Sequence, residues 1–333
     1  MQVTHGTVLP RGGRMGFAAG TGLTIGNFDG VHRGHRSMLA RLVEKTRELK
    51  LACTVLTFEP HPSEFFASAN AQARSTDAQA RAIEAPARLT RLREKLELLA
   101  EAGVERTHVL RFGAQLAALT ADRFIEEVLV GGLDVRWLLV GRDFRFGAKR
   151  AGDFALLETA ARSGPAGRRF GLEAMDDVLQ AGRRISSSSV RAALAAGDLA
   201  GAARLLDRDY SMSGRVAHGE KLGKTLGFPT ANIVLRRRAP LAGIFVVEVE
   251  LEETRAVLRG VANVGRRPTV KADAPPLLEV HLFDWQGDLY GRHLRVKFLQ
   301  KLRDEAKYDG LEALRAAIAR DAAQARDYFR KHG

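Results

Sequence analysis

A change of hydrophobic period halfway along the chain constrains the fold more than any other feature. The first half alternates short apolar runs with helical spacing. Leu23–Ile25 runs into Gly26-Asn27-Phe28-Asp29-Gly30, a helical stretch follows over Arg33–Leu49, and Leu51–Phe58 reads as a buried strand. Pro86 opens a predicted helix whose Leu89, Leu92, Leu96 and Leu99 fall three, four and three apart. Val104–Leu110 and Trp137–Val140 read as further strands, and Thr120 as the N-cap of a helix running to Val130. Such alternation builds a parallel sheet covered by helices.

The second half has period two. Phe245, Val247, Val249 and Leu251 alternate with Val246, Glu248 and Glu250; Leu294, Val296 and Phe298 alternate with His293, Arg295 and Lys297. Half-buried antiparallel strands carry that period, and several of them between Gly and Pro turns make a small barrel or sandwich. Asp309–Lys331 is predicted helical, with Leu311, Leu314, Ile318, Ala322, Ala325 and Phe329 on one stripe. The halves meet near Asp207–Ser211, after a helical stretch over Val190–Leu206, which gives domains 1–207 and 208–333. A length of 333 residues fits two domains at roughly 150 residues each. The Ala-rich segment Ala67–Ala87 has little apolar periodicity and is expected to be a mobile surface excursion.

Lys and Arg number 52 against 39 Asp and Glu, a net charge of +13. That excess suits polyanions: nucleic acid, acidic lipid or phosphorylated small molecules. Its residues are spread along the chain and no aromatic-rich RNA motif accompanies them, which disfavours a nucleic-acid-binding protein. The single cysteine, Cys53, excludes a disulfide within the chain and a Cys-based zinc site; its apolar run makes it a core residue. No charge-free apolar run approaches the ~20 residues a membrane span needs, and the N-terminus lacks a signal-peptide pattern, so the cytoplasm is expected.

Gly26 to His35 joins a strand to a helix. A helix N-terminus there offers free N–H groups and a positive dipole end to an anion. His32 and His35, three apart, share a helical face and can bond phosphate oxygens or stabilise charge on a departing pyrophosphate. In the second half, Gly219–Thr225 has three residues between its glycines where a Walker A loop has four, and a strand follows where that loop needs a helix. A Gly- and Lys-rich loop can still cover phosphates. Thr230 and Asn232 point the same way on a strand, and their oxygens are hard ligands suited to Mg²⁺; two strand surface residues are the competing reading. In Leu278–Phe283, Glu279 leaves the apolar face.

The block Gly26–His35 resembles the His-x-Gly-His nucleotidyltransferases, specifically the bacterial bifunctional riboflavin kinase/FAD synthetase family. Phe58-Glu59-Pro60-His61-Pro62, Leu139–Gly147 and Ile185–Arg191 match the same family in order. The last usually reads Ile-Ser-Ser-Thr-x-Ile-Arg; here Ser188 and Val190 replace Thr and Ile, and Ser189 stands where many members carry a basic residue. Gly227-Phe228-Pro229-Thr230-Ala231-Asn232 is similar to the riboflavin kinase signature, and Gly260–Thr269 and Leu278–Phe283 follow in family order.

The resemblance implies a Rossmann-like nucleotidyltransferase domain with a parallel sheet, then a small antiparallel β-barrel with a terminal helix. It implies ATP-dependent phosphorylation of riboflavin to FMN, then adenylylation of FMN to FAD with release of pyrophosphate. His32 and His35 would be catalytic in the second step, and Glu279 the base of the first. Gly26, Asn27, Phe28, Asp29, Gly34, Ser187, Ser188 and Arg191 would bind ATP in the adenylyltransferase. Phe58, Pro60, His61, Asp143, Phe144 and Arg145 would bind flavin there, although Phe144 and Phe146 read alone are core anchors. Gly219, Lys221, Gly223, Lys224, Gly227, Pro229 and Arg295 would bind ATP or flavin in the kinase, with Thr230 and Asn232 on Mg²⁺. The implied partners are riboflavin, FMN and ATP, not nucleic acid or membrane, in a monomer or weak homo-oligomer. The competing reading is a riboflavin kinase whose adenylyltransferase domain is impaired by Ser189.

Overall fold

The computed structural model describes residues 1–6, 20–73, 84–219, 222–235, 237–265 and 276–332. Its contacts group into two compact units: Met1–Pro86 with Arg91–Ile185, and Ala87–Thr90 with Ser186–Gly333.

The first unit carries β1 (Gln2–Gly6), β2 (Thr21–Ile25), α1 (Arg33–Leu49), β3 (Ala52–Glu59), α2 (Pro62–Ala73), α3 (Leu92–Glu101), β4 (Arg106–Arg111), β5 (Val135–Gly141) and β6 (Gly171–Met175). The six strands form one parallel sheet in the order β1-β4-β3-β2-β5-β6. Every residue of β2 is buried, as a central strand covered on both faces must be. On one face Leu39 and Leu42 of α1 and Leu98 and Leu99 of α3 pack on Val55 and Leu139. On the other, Phe124, Val128 and Leu157 pack on Leu23, Leu56 and Leu138. Cys53 is a core residue, 2% exposed. From β2 the chain moves one way to β3 and β4 and the other way to β5 and β6, so strand order reverses beside β2; ligands of open α/β sheets sit at that reversal, outside the carboxyl ends.

Several expectations need correction here. No helix starts at Pro86: α3 begins at Leu92, where the Glu94 carboxylate accepts the Arg91 N–H at 2.6 Å. Leu89 lies before it and is buried in the core of the second unit. The buried face of α3 is Glu94, Lys95, Leu98 and Leu99. Thr120 does cap a helix, accepting the Arg123 N–H, but after Arg123 the helix widens to π geometry over Phe124–Gly132. Ala67–Ala73 continues helix α2; residues 74–83 of the expected excursion lie outside the described residues.

The second unit is a closed antiparallel barrel, β10-β13-β12-β11-β14-β9: β9 (Ser211–Ala217), β10 (Ala231–Val234), β11 (Gly243–Leu251), β12 (Val257–Gly265), β13 (Leu277–Leu282) and β14 (His293–Arg303). β7 (Leu179–Gln180) and β8 (Arg183–Arg184) form a small hairpin in the first unit. Phe245, Val247, Leu278 and Phe298 fill the barrel. The outer residues Ile244, Val246 and Val261 pack under Ala322, Ala325 and Phe329 of the terminal helix, Leu311–His332. The helical stretch before the barrel is two helices, Ser187–Ala195 and Leu199–Leu206, whose Val190, Leu194 and Leu206 share the barrel's core. Leu311, expected on the apolar stripe, is 57% exposed because it opens the helix one turn before Leu314 reaches the barrel cavity.

Candidate active sites

Three of the sequence blocks follow adjacent strands: Gly26–His35 follows β2, Phe58–Pro62 ends β3, and Arg142–Gly147 follows β5. In the first, Phe28, Gly30 and Val31 have φ of +47°, +83° and +39°. A β-branched residue at positive φ is an outlier; full burial of Phe28 and Val31 holds it, at 0% and 1% exposure. Positive φ at these positions bends the chain sharply between β2 and α1, where the Gly26 N–H donates to the Leu56 carbonyl at 3.1 Å and the Val31 N–H to the Phe28 carbonyl at 3.3 Å.

His32 is the N-cap of α1, and its Nδ1 accepts the His35 N–H at 3.3 Å. An accepting Nδ1 places the neutral ring's proton on Nε2. The two imidazoles stack with centroids 3.7 Å apart. A Cβ at Gly34 would lie 3.3 Å from the His32 ring, a tighter approach than most side chains make. Burial holds the His35 pKa well below its usual value, with the charges of His32 and Lys95 adding to the effect, so His35 is neutral near pH 7. Among the described residues, Asn27 Oδ1 and His35 Nδ1 are buried with no hydrogen-bond partner. Buried polar atoms of that kind are rare, and here they fit a ligand-binding loop.

At the neighbouring strand ends, His61 Nδ1 meets Ser63 Oγ at 2.7 Å, the His61 N–H donates to Glu64 at 3.1 Å, and Glu59–Pro60 is cis. Phe146 is a core residue, and Phe144 stacks on it with centroids 5.5 Å apart. Asp143 is exposed and pairs with Arg184 at 2.7 Å; Arg145 pairs with Asp153 at 3.0 Å. Ser187, Ser188 and Arg191 belong to the second unit by contact. Ser186 caps their helix: its Oγ accepts the Ser189 N–H at 3.1 Å, and Ser189 Oγ accepts the Ser186 N–H at 3.0 Å. The serine that departs from the family pattern thus completes a reciprocal cap. Arg191 Nε donates to the Ala87 carbonyl at 2.6 Å.

In the barrel, Asn232 of β10 lies opposite Glu279 of β13, which lies opposite Asn263 of β12. Directly opposed residues share a face; this row is on the outside of the barrel, since Ala231, Leu278, Val280 and Ala262 fill the inside. A cavity of about 220 Å³ opens there, lined by Gly223, Thr230, Asn263, Glu279 and His281, with Asp321 contributed by the terminal helix. Asn263 Nδ2 approaches Glu279 at 3.5 Å, and Asn263 Oδ1 is buried without a partner among the described residues. His281 Nδ1 donates to the Pro229 carbonyl at 2.9 Å, latching the Gly227–Thr230 turn to β13. Arg303 is held by Asp321 through two bonds of 2.9 and 2.6 Å.

Of the residues expected to bind in the kinase, Gly223 and Thr230 reach this cavity. Gly219 packs so closely on Asn232 that a Cβ there would lie 2.4 Å from Nδ2. Lys221 lies outside the described residues, and Lys224 lies on the short helix Leu222–Thr225. Arg295 is on β14 opposite Glu250 and Ser213, away from the cavity lining. Asn263 and His281 were not singled out as site residues by sequence reasoning. Both stand on polar positions of alternating strands, but only strand register shows which polar positions adjoin Glu279. Thr230 just before β10 and Asn232 on it, opposite Glu279, supply neutral hard oxygens near a carboxylate, a donor set that suits Mg²⁺ with several retained waters; the Asn232 amide N–H donates to the Thr230 carbonyl at 3.4 Å.

By the families that its two units match, the chain is a two-part transferase of flavin metabolism. The family described as FAD synthetase matches residues 16–189, and the family described as riboflavin kinase matches residues 206–329. The bifunctional riboflavin kinase/FMN adenylyltransferase of Escherichia coli is 49% identical over 308 residues, 92% of each chain. That of Pseudomonas fluorescens is 46% identical over 304 residues, 91% of each chain. A solved structure described as a macrolide-efflux protein from Streptococcus pneumoniae aligns with TM-score 0.74 and 25% identity, covering 98% of this chain and 99% of that one. The chain belongs to the bifunctional riboflavin kinase/FMN adenylyltransferase family.

Proposed function

We propose that the two reactions of the family divide between residues 1–207 and 208–333. In the barrel, the 5′-hydroxyl of riboflavin attacks the γ-phosphorus of ATP. Glu279 accepts the hydroxyl proton, and FMN and ADP result. An alcohol is a poor nucleophile until its proton is taken, which is the reason for a carboxylate at this position. Asn263 steadies that carboxylate, and His281 holds the turn carrying Thr230. Thr230 and Asn232 would hold Mg²⁺, which when bound neutralises phosphate charge.

In the parallel-sheet domain the FMN phosphate attacks the α-phosphorus of ATP. The bond to the bridging oxygen breaks and pyrophosphate leaves. The nucleophile is already an anion, so no strong base is required. The N-terminus of α1 behind His32 receives phosphate oxygens, and the imidazoles of His32 and His35 donate to the growing charge. Ser187, Ser188 and Arg191 bind the ATP phosphates in this reading; Phe58, Pro60, His61, Asp143, Phe144 and Arg145 frame the flavin. FMN, riboflavin and ATP are the only partners required; nucleic acid, membrane and stable oligomer are not, and the cytoplasm is the site of action. No described helix is long and apolar enough to cross a membrane.

The observation that carries the kinase assignment is Glu279 set between Asn232 and Asn263 on the outer face of the barrel, with Glu279 and Asn263 lining the cavity. The single-activity alternative is disfavoured by the presence of both family matches in one chain. Purified protein incubated with riboflavin, ATP and Mg²⁺, its fluorescent flavins then separated, tests the reading. FMN followed by FAD is expected; riboflavin left unchanged contradicts it, and accumulation of FMN alone revives the alternative.

A further inference from the structure

Lysine is among the residues least often buried, yet Lys95 is 2% exposed and ranks with the largest fully buried side chains. It lies outside every motif of the sequence, on the face of α3 that turns into the first unit. Its Nζ donates to Thr57 Oγ1 at 3.4 Å, and Thr57 Oγ1 donates to the Asn27 carbonyl at 3.3 Å. Thr57 is 0% exposed. The relay therefore runs from α3, through β3, to the first residue after the Gly26 turn. The Asn27 side chain presents a buried oxygen with no partner among the described residues.

We propose that Lys95 is a positioning residue for adenylyl transfer, setting the Gly26–Val31 loop from beneath through Thr57. The proposal rests on the assignment of adenylyl transfer to this loop. Three features of the arrangement support it. The loop is held in positive-φ conformations at Phe28 and Val31, which demand buried support. The relay ends on the backbone of that loop, so it acts on its position rather than on substrate directly. The charged groups acting on His35 are His32, from the loop itself, and Lys95, from α3. Burial first, and then the charges of His32 and Lys95, lower the His35 pKa, so Lys95 acts on the imidazole as well as on the loop.

The test separates charge from contact. Lys95→Met removes both; Thr57→Val removes the relay and keeps the ammonium. In each variant the riboflavin kinase activity of the same chain reports folding. Expected for Lys95→Met is a fall of ten-fold or more in kcat/KM for FMN adenylylation. The acid limb of its pH profile moves toward neutral pH, because His35 takes up its proton at higher pH once the neighbouring charge is gone. Thr57→Val is expected to lower the rate with the acid limb in place. Adenylylation within two-fold of the parent in both variants overturns the proposal, as does an unmoved acid limb in a folded Lys95→Met protein. Should Lys95→Met fail to fold, an unchanged rate in Thr57→Val overturns the relay by itself. If His32→Ala/His35→Ala also adenylylates normally, the assignment of the loop fails instead.

Discussion

The two units face the same triphosphate with different equipment. In the parallel-sheet unit the candidate site is a strained backbone loop, two stacked imidazoles and a buried lysine. In the barrel it is a carboxylate between two amides on the outer wall. The difference follows from the nucleophiles. A phosphate brings its own negative charge, so the first site need only neutralise and orient; a hydroxyl must lose a proton, so the second needs a base. It teaches that the cosubstrate alone does not dictate the site, since the protonation state of the attacking oxygen decides which side chains are needed.

The largest expected effect breaks the barrel side. Glu279→Gln should lower the rate of FMN formation by roughly 10²–10⁴-fold, the usual worth of a general base, and leave adenylylation of supplied FMN intact in the same assay. On the other side, His32→Ala/His35→Ala should lower FAD formation by roughly 10²–10³-fold, the scale of losing charge-stabilising donors, with FMN formation preserved.

A third prediction concerns stability. His108 of β4 is buried beside β1, its Nδ1 is paired with Thr4 Oγ1 at 2.9 Å, and burial, with help from His5, lowers its pKa from 6.5 to about 4. Between those values the unfolded chain binds the proton and the folded chain does not. Stability of the parallel-sheet unit therefore falls as pH drops from 6.5 toward 4, by up to about 3 kcal/mol. His108→Gln, which keeps a partner for Thr4 and cannot titrate, should remove that slope in urea melts taken across the range. The smallest effect sharpens the barrel side: Asn263→Ala should slow phosphorylation about ten-fold, a loss of about 1.4 kcal/mol, with riboflavin binding measured by fluorescence little changed.

Much of this was legible in the sequence. The Gly26–Val31 loop and the Gly227–Asn232 turn announce themselves because turns and helix caps are local chemistry, written in consecutive residues. The period change separated sheet from barrel because burial on two faces and on one face leaves different patterns. What escaped depends on partners distant in sequence. β1 is five residues, none of them buried, and its parallel pairing with β4 has no local signature. Leu89 kept helical spacing with α3 while packing in the other core. Asn263 gains its place beside Glu279 only through the register of β12 on β13. Lys95 did leave a trace: it lies three residues after Leu92 and four before Leu99, a charged residue on a stripe that periodicity marks as apolar.

The central claim is that each half of the chain holds its own complete site. Mixing equal amounts of Glu279→Gln protein and His32→Ala/His35→Ala protein with riboflavin, ATP and Mg²⁺ addresses it most directly. Separately, the first should leave riboflavin unconverted and the second should stop at FMN; together they should deliver FAD. A mixture that makes no FAD, because either substitution has silenced both reactions, would contradict the account.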